Sequence, residues 1–237
     1  LMIARYKGMA ETGVYTTMLF MISALIFPYR SIMRVATPLV AKQWKERDMA
    51  GMQALYQKSS SVGLLLALAG FLGVWIVIDP LLSFAPAYAA GKWVFFFLML
   101  GRIIDMYFGL NGWIFITSKK YKYDLVFTFI LLILVFILNV LLIPIYGIIG
   151  AAISTGFALI VYNLGRMLFV YFVYDIHPFK WNQLKIILLF FAVCIGLENI
   201  PSIFNNRISD FLMNSIFVTV TFLLPIYLLN LEPEINN

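Results

Sequence analysis

The chain is poor in the residues that most reactions and cross-links use. Its 237 residues include one cysteine and one histidine. A lone thiol, Cys194 within an apolar run, excludes an intrachain disulfide and any cysteine-based metal cluster. The histidine, His177, stands in "DIHPFKW", where an interfacial role suits it, and no acid, base or ligand cluster accompanies it in the sequence. No Gly-x-x-x-x-Gly-Lys-Ser/Thr loop occurs, which argues against ATP hydrolysis by this chain. Nothing asks for a cofactor or a metal. Charged residues make up only 12% of the chain, too few to solvate a large soluble surface.

What is present in their place is hydrocarbon. The chain is 63% hydrophobic with a mean hydropathy of +0.95, against roughly 45–50% apolar residues in soluble domains. A bilayer core of about 30 Å takes about 20 apolar residues per helix. Seven runs meet or approach that length: Thr12 to Leu39, Ser61 to Ile78, Val94 to Ile116, Leu125 to Ile143, Gly147 to Val173, Leu184 to Ile200 and Ile208 to Leu231. The first is interrupted by Pro28, Arg30 and Arg34. The runs are continuous, without the alternation of a membrane barrel strand. The expected fold is therefore an all-α integral membrane protein of about seven transmembrane helices.

The net charge of +6 does not indicate nucleic acid, because the basic residues are scattered along loops and form no single patch. Topology accounts for them. Lys42, Lys45, Arg47, Lys58, Lys119, Lys120, Lys122, Lys180 and Lys185 occupy alternate loops, and the other loops hold only Arg5, Lys7, Lys92 and Arg207. The positive-inside rule puts the first set, and the C-terminus, in the cytoplasm. The longest polar stretch, Lys42 to Ser61, reads as a solvated connector or a surface helix anchored by Trp44 and Tyr56. "SKKYKYD" and "PIYG" are short enough to make consecutive helices antiparallel neighbours in one bundle. "LMIA" before Arg5 reads as the end of a preceding helix. Residues 1–11 are thus that helix end and an external turn, 12–179 five spans, and 180–237 two more spans with a cytoplasmic tail.

Two faces carry candidate chemistry. Small residues let helix backbones approach in lipid, and Gly147, Gly150, Ala151, Ser154, Thr155, Ala158, Tyr162, Gly165 and Arg166 share an arc of about 160°. Ile148, Ile149, Ile153, Phe157 and Leu159 lie opposite and suit lipid. Pro144 breaks the backbone at the membrane boundary, and Asn139 caps or bridges to a neighbour. On the third run Gly101, Arg102, Asp105, Gly109 and Gly112 share about 100° of arc. A charge near the bilayer centre costs at least roughly 2.5–3.5 kcal/mol and commonly serves function. Arg102 and Asp105, three apart, form either a structural ion pair or part of a cavity. Arg30 is a further cavity candidate, whereas Arg34 and Arg166 suit snorkelling at the cytoplasmic edge.

"TGVYTTMLFMISALIFPYRSIMRVATPLVAKQW", "GLNGWIFITSKKYKYD", "NVLLIPIYGIIGAAIST" and "YNLGRMLFVYFVYDIHPF", in this order, resemble the C-terminal half of bacterial polysaccharide flippases. These belong to the multidrug/oligosaccharidyl-lipid/polysaccharide exporter superfamily, and the motifs have a Bacteroidetes flavour. The resemblance spans Arg5 to about Phe179. It implies two pseudo-symmetric lobes with twelve to fourteen helices in all, of which this chain holds most of one. It further implies flipping of an undecaprenyl-pyrophosphate-linked oligosaccharide across a bacterial inner membrane, with membrane lipids and glycan polymerase or ligase machinery as partners. A cation-coupled multidrug or small-solute antiporter of the same superfamily, a membrane-embedded glycan ligase or polymerase, and a structural subunit are the other readings.

Overall fold

Backbone amides have no water to bond in a bilayer, so long apolar runs close their hydrogen bonds within helices. A computed structural model of the chain describes residues 2–199 and 207–228, and every regular element among them is helical. In chain order these are α1 (Met2–Glu46), α2 (Met49–Ser83), a 3₁₀ turn (Pro86–Tyr88), α3 (Gly91–Tyr107), α4 (Leu110–Thr117), α5 (Lys122–Tyr174), α6 (Trp181–Asn199) and α7 (Arg207–Val218). A π-helical turn (Thr219–Leu223) then leads into α8 (Leu224–Leu228). Among the described residues four helices are long and apolar enough to cross a membrane, or five with α3 and α4 taken as one bent span. Ile200 and residues 229–237, which hold the ends of the sixth and seventh runs and the tail, lie outside the described residues.

The helices run further than the apolar runs. Pro28 and Pro38 lie inside α1, which is interrupted only at Gly8, with φ at 88°. Met2 and Ile3 line a small cavity with Tyr15, Asn139, Ile143 and Ala151. The polar stretch after the first run is neither a loop nor a surface helix. Helix α1 continues to Glu46 and α2 starts at Met49, capped by Asp48, whose Oδ1 accepts the Gly51 N–H at 2.8 Å. Tyr56 is fully buried rather than interfacial, and Trp44 meets Tyr174 edge to face with ring centroids 4.8 Å apart. Docking onto the end of α5 sustains helix where sequence polarity alone suggests a connector.

At 1.5 Å per residue, the 53 residues of α5 would extend about 80 Å if straight, far beyond one bilayer. Gly147 divides them with φ 61° and ψ −137°, a conformation that a residue with a Cβ rarely adopts. The break therefore comes at Gly147 and not at Pro144, which sits exposed within helical backbone. Beyond it the chain folds back: a Cβ on Gly150 would lie 2.3 Å from the Leu142 carbonyl oxygen. The first half of α5 faces outward, with Leu125, Phe129, Leu132, Ile133 and Phe136 exposed, whereas the second half is central. Ile148, on the side assigned to lipid, is 4% exposed and belongs to the core.

That second half meets α3 backbone to backbone. A Cβ on Gly101 would lie 2.7 Å from Gly156 Cα, and one on Gly156 would lie 2.3 Å from the Phe97 carbonyl oxygen. Close approach through glycine is the usual means of helix association in lipid. The third run is not one straight helix, since α3 and α4 are bent by 48° across Phe108 and Gly109. The wedge comes from α1, where the buried Tyr29 places its hydroxyl 1.9 Å from where a Gly109 Cβ would be.

Candidate functional site

Within α3, Arg102 Nη1 donates to Asp105 Oδ2 at 2.9 Å, one helical turn apart. The pair is only partly enclosed, its side chains 32% and 31% exposed. Asp105 Oδ1 accepts from Asn163 Nδ2 on α5 at 3.1 Å, and the same amide nitrogen donates to the Leu159 carbonyl at 3.0 Å. The Asn163 carbonyl in turn accepts from Asn111 Nδ2 on α4 at 3.5 Å, and Tyr56 of α2 donates its hydroxyl to Asn111 Oδ1. Asn111 and Asn163 are almost wholly buried. Four helices are thus connected, with one end of the connection reaching a cation that retains exposure. Tyr15 and Thr155 bring their hydroxyl oxygens to 3.2 Å between α1 and α5.

Asn163, Asn111, Tyr56 and Thr155 were not singled out as site residues in the sequence. A signal existed for the two asparagines, since an amide deep in an apolar span is costly and calls for a partner. Tyr56 carried none, because it stands in a polar stretch.

The other candidates divide. Arg30 and Arg34 are exposed on α1, and neither joins the Arg102 cluster. Arg166 does not snorkel. Its side chain is 9% exposed, its Nη2 lies 2.8 Å from Asp124 Oδ1, and its Nη1 donates to the Tyr162 hydroxyl at 2.8 Å. Its guanidinium stands over the Tyr162 and Phe115 rings at 4.7 and 5.6 Å. Gly112 leaves room for it, since a Cβ there would lie 2.8 Å from Nη2. A partner from the first turn of α5 and an aromatic cage hold this cation inside.

Gly147, Gly150, Ala151 and Ser154 are buried as a packing face. The Ser154 hydroxyl turns back to the Gly150 carbonyl at 2.8 Å within its own helix. Asn139 neither caps nor bridges: its Oδ1 is buried without a hydrogen-bond partner among the described residues. Among the described residues no group of three or more His, Cys, Asp or Glu side chains could hold a metal ion.

No family model and no curated protein matches the chain. A solved structure does: the lipid II flippase MurJ, in an inward closed conformation, with a TM-score of 0.67 and 14% sequence identity over 95% of this chain. The fold is flippase-like. The chain spans about half the length of that flippase, 51% of it. At this identity the likeness concerns architecture, and the chemistry of the site has to be argued from its own residues.

Proposed function

We propose that this chain forms the C-terminal lobe of a lipid-linked oligosaccharide flippase, with Arg102 as the cavity cation that meets the substrate's pyrophosphate. The substrate class is an undecaprenyl-pyrophosphate-linked oligosaccharide. It moves from the cytoplasmic to the periplasmic leaflet of a bacterial inner membrane during polysaccharide or lipopolysaccharide assembly, upstream of a glycan polymerase or ligase. Residues 1–11 then end the preceding helix, 12–179 supply five helices of the lobe, and 180–237 two more.

One observation carries the reading: a guanidinium inside a membrane-spanning helix keeps about a third of its surface accessible. Guanidinium has five N–H donors, and Asp105 accepts one of them in the described structure. The others suit phosphate oxygens, which a planar fork meets bidentately at any physiological pH. Asp105 offsets part of the positive charge, which favours release of the anion after the conformational step. Asn163 fixes the carboxylate that fixes the arginine. Arg30, exposed on α1, adds a second positive charge to the proposed cavity. The antiporter reading would use Asp105 as a cation ligand, yet Arg102 and Asn163 already engage its two oxygens.

In the intact transporter, Arg102→Ala should abolish surface glycan at normal membrane abundance, and Arg102→Lys should restore little of it. Asp105→Asn should impair transport less. Recovery of abundance and transport together in an Arg102→Asp, Asp105→Arg double variant would overturn substrate binding and leave a structural ion pair.

A further inference from the structure

Hydroxyls on membrane helices can satisfy themselves on their own backbone. Thr16 and Ser23 of α1 and Ser154 of α5 do so, donating to the Thr12, Leu19 and Gly150 carbonyls at 3.0, 2.8 and 2.8 Å. Thr155 turns across the bundle instead, and its Oγ1 lies 3.2 Å from the Tyr15 hydroxyl on α1. Both residues are half-buried. Tyr15 also borders a cavity of about 230 Å³ together with Ala151, one turn before Thr155. The Thr155 hydroxyl is not spent on its own helix, and partial exposure leaves the pair within reach of a ligand.

The pair stands beside Arg102. The adjoining residues, Gly101 of α3 and Gly156 of α5, form the backbone contact between their helices, and the Tyr15 hydroxyl lies within reach of the Arg102 charge. Three helices thus bring together a guanidinium, a phenol and a threonine hydroxyl. Their chemistries differ. A guanidinium only donates, which suits the acceptor oxygens of a phosphate. Each hydroxyl both donates and accepts. The contact between Tyr15 and Thr155 uses one donor, so the pair still offers a ligand one O–H together with acceptor lone pairs. The complementary group is one that also donates and accepts, as a sugar hydroxyl does and an ionised phosphate oxygen does not.

We propose that Tyr15 and Thr155 bind a hydroxyl of the sugar attached to the pyrophosphate, so that the site distinguishes a glycan-loaded carrier from one without a sugar. The inference rests on the reading of Arg102 as the pyrophosphate cation. Arg102 supplies charge recognition common to both carriers, and the hydroxyl pair supplies the difference between them. Without a sugar, Tyr15 and Thr155 keep only their contact with each other, and the remaining O–H gains no ligand acceptor. The pair asks for a sugar hydroxyl and not for one particular sugar, because two rotatable hydroxyls follow the ligand's geometry.

The test titrates the full chain in lipid nanodiscs with undecaprenyl glucosyl pyrophosphate and with undecaprenyl methyl pyrophosphate, which carries the same charge and no sugar. The glucosyl ligand should bind about tenfold tighter, the factor expected of two neutral hydrogen bonds. Tyr15→Phe and Thr155→Val should each cut the preference to about threefold or less while leaving the Kd of the methyl ligand unchanged. Thr155→Ser, which keeps the hydroxyl, should retain the preference. Equal Kd values for the two ligands in the unaltered chain, an unchanged preference in Tyr15→Phe or Thr155→Val, or a loss in Thr155→Ser as large as in Thr155→Val overturns the proposal. So does an equal weakening of both ligands in Tyr15→Phe, which would assign the residue to packing. Arg102→Ala should weaken both ligands alike and keep the preference. Unweakened binding of both ligands in Arg102→Ala would overturn the pyrophosphate reading itself, a result separate from the loss of sugar preference.

Discussion

Two arginines show how placement alone separates a structural cation from an available one. Arg166 has an ion-pair partner, a hydroxyl acceptor and two aromatic faces around it, and little of it remains accessible. Removing it strands Asp124, and breaking a buried pair from one side costs about 3–5 kcal/mol. Arg166→Leu should therefore lower the thermal unfolding midpoint in detergent strongly, with Asp124→Asn doing less because an amide still accepts a hydrogen bond. Arg102 keeps a third of its surface open, and its loss leaves Asp105 bonded to Asn163. Arg102→Ala should shift the midpoint by a small fraction of the Arg166→Leu shift, and equal shifts would remove the distinction between the two cations.

At the level of elements, breaks and bends are placed by close contacts more than by the residues usually blamed for them. Proline sits inside α1 at two positions, inside α2 at Pro80 and inside α5 at Pro144 without ending a helix. Gly147 ends one because its positive φ reverses the chain. The bend between α3 and α4 forms where the Tyr29 hydroxyl fills the space beside Gly109. Gly109→Ala puts a methyl group into that hydroxyl, an overpacking that costs about 1–3 kcal/mol. A double-mutant cycle should show coupling: Tyr29→Phe removes the nearest atom and should restore part of the lost stability. Strict additivity of the two changes, read as unfolding midpoints, would show that Tyr29 is not the wedge.

At the level of the whole molecule, the chain is a helical membrane bundle with a flippase-like fold, and its orientation is the property most open to direct measurement. The distribution of basic residues predicts that the turn between α4 and α5 is cytoplasmic and that the corner at Gly147 is periplasmic. Lys119 and Tyr146 are exposed at these two sites, so each tolerates a reporter thiol better than buried Ser118 or Gly147. In cells carrying a Cys194→Ala background, an impermeant maleimide should label Tyr146→Cys in intact cells and Lys119→Cys only after lysis. The reverse pattern would invert the lobe, and with it the direction of transport proposed above.

The sequence by itself determined the class of this protein, because apolar runs of membrane-spanning length admit few structures other than helices in lipid. It also located the small-residue face after Gly147 and the Arg102–Asp105 pair, since spacing of three and four along a helix is a local property. Burial was another matter. Nothing local distinguishes Arg166, enclosed by α4 and α5, from Arg34, exposed on α1. The same holds for Tyr56, which reads as an interfacial anchor until Asn111 of α4 is found beside it. Only the tertiary structure could join Asp105 to Asn163, 58 residues apart, because hydrogen bonds between helices depend on how the helices cross. Those crossings follow from glycine contacts between Gly101 and Gly156 and from the reversal at Gly147, and the partners of such contacts are set by folding in three dimensions.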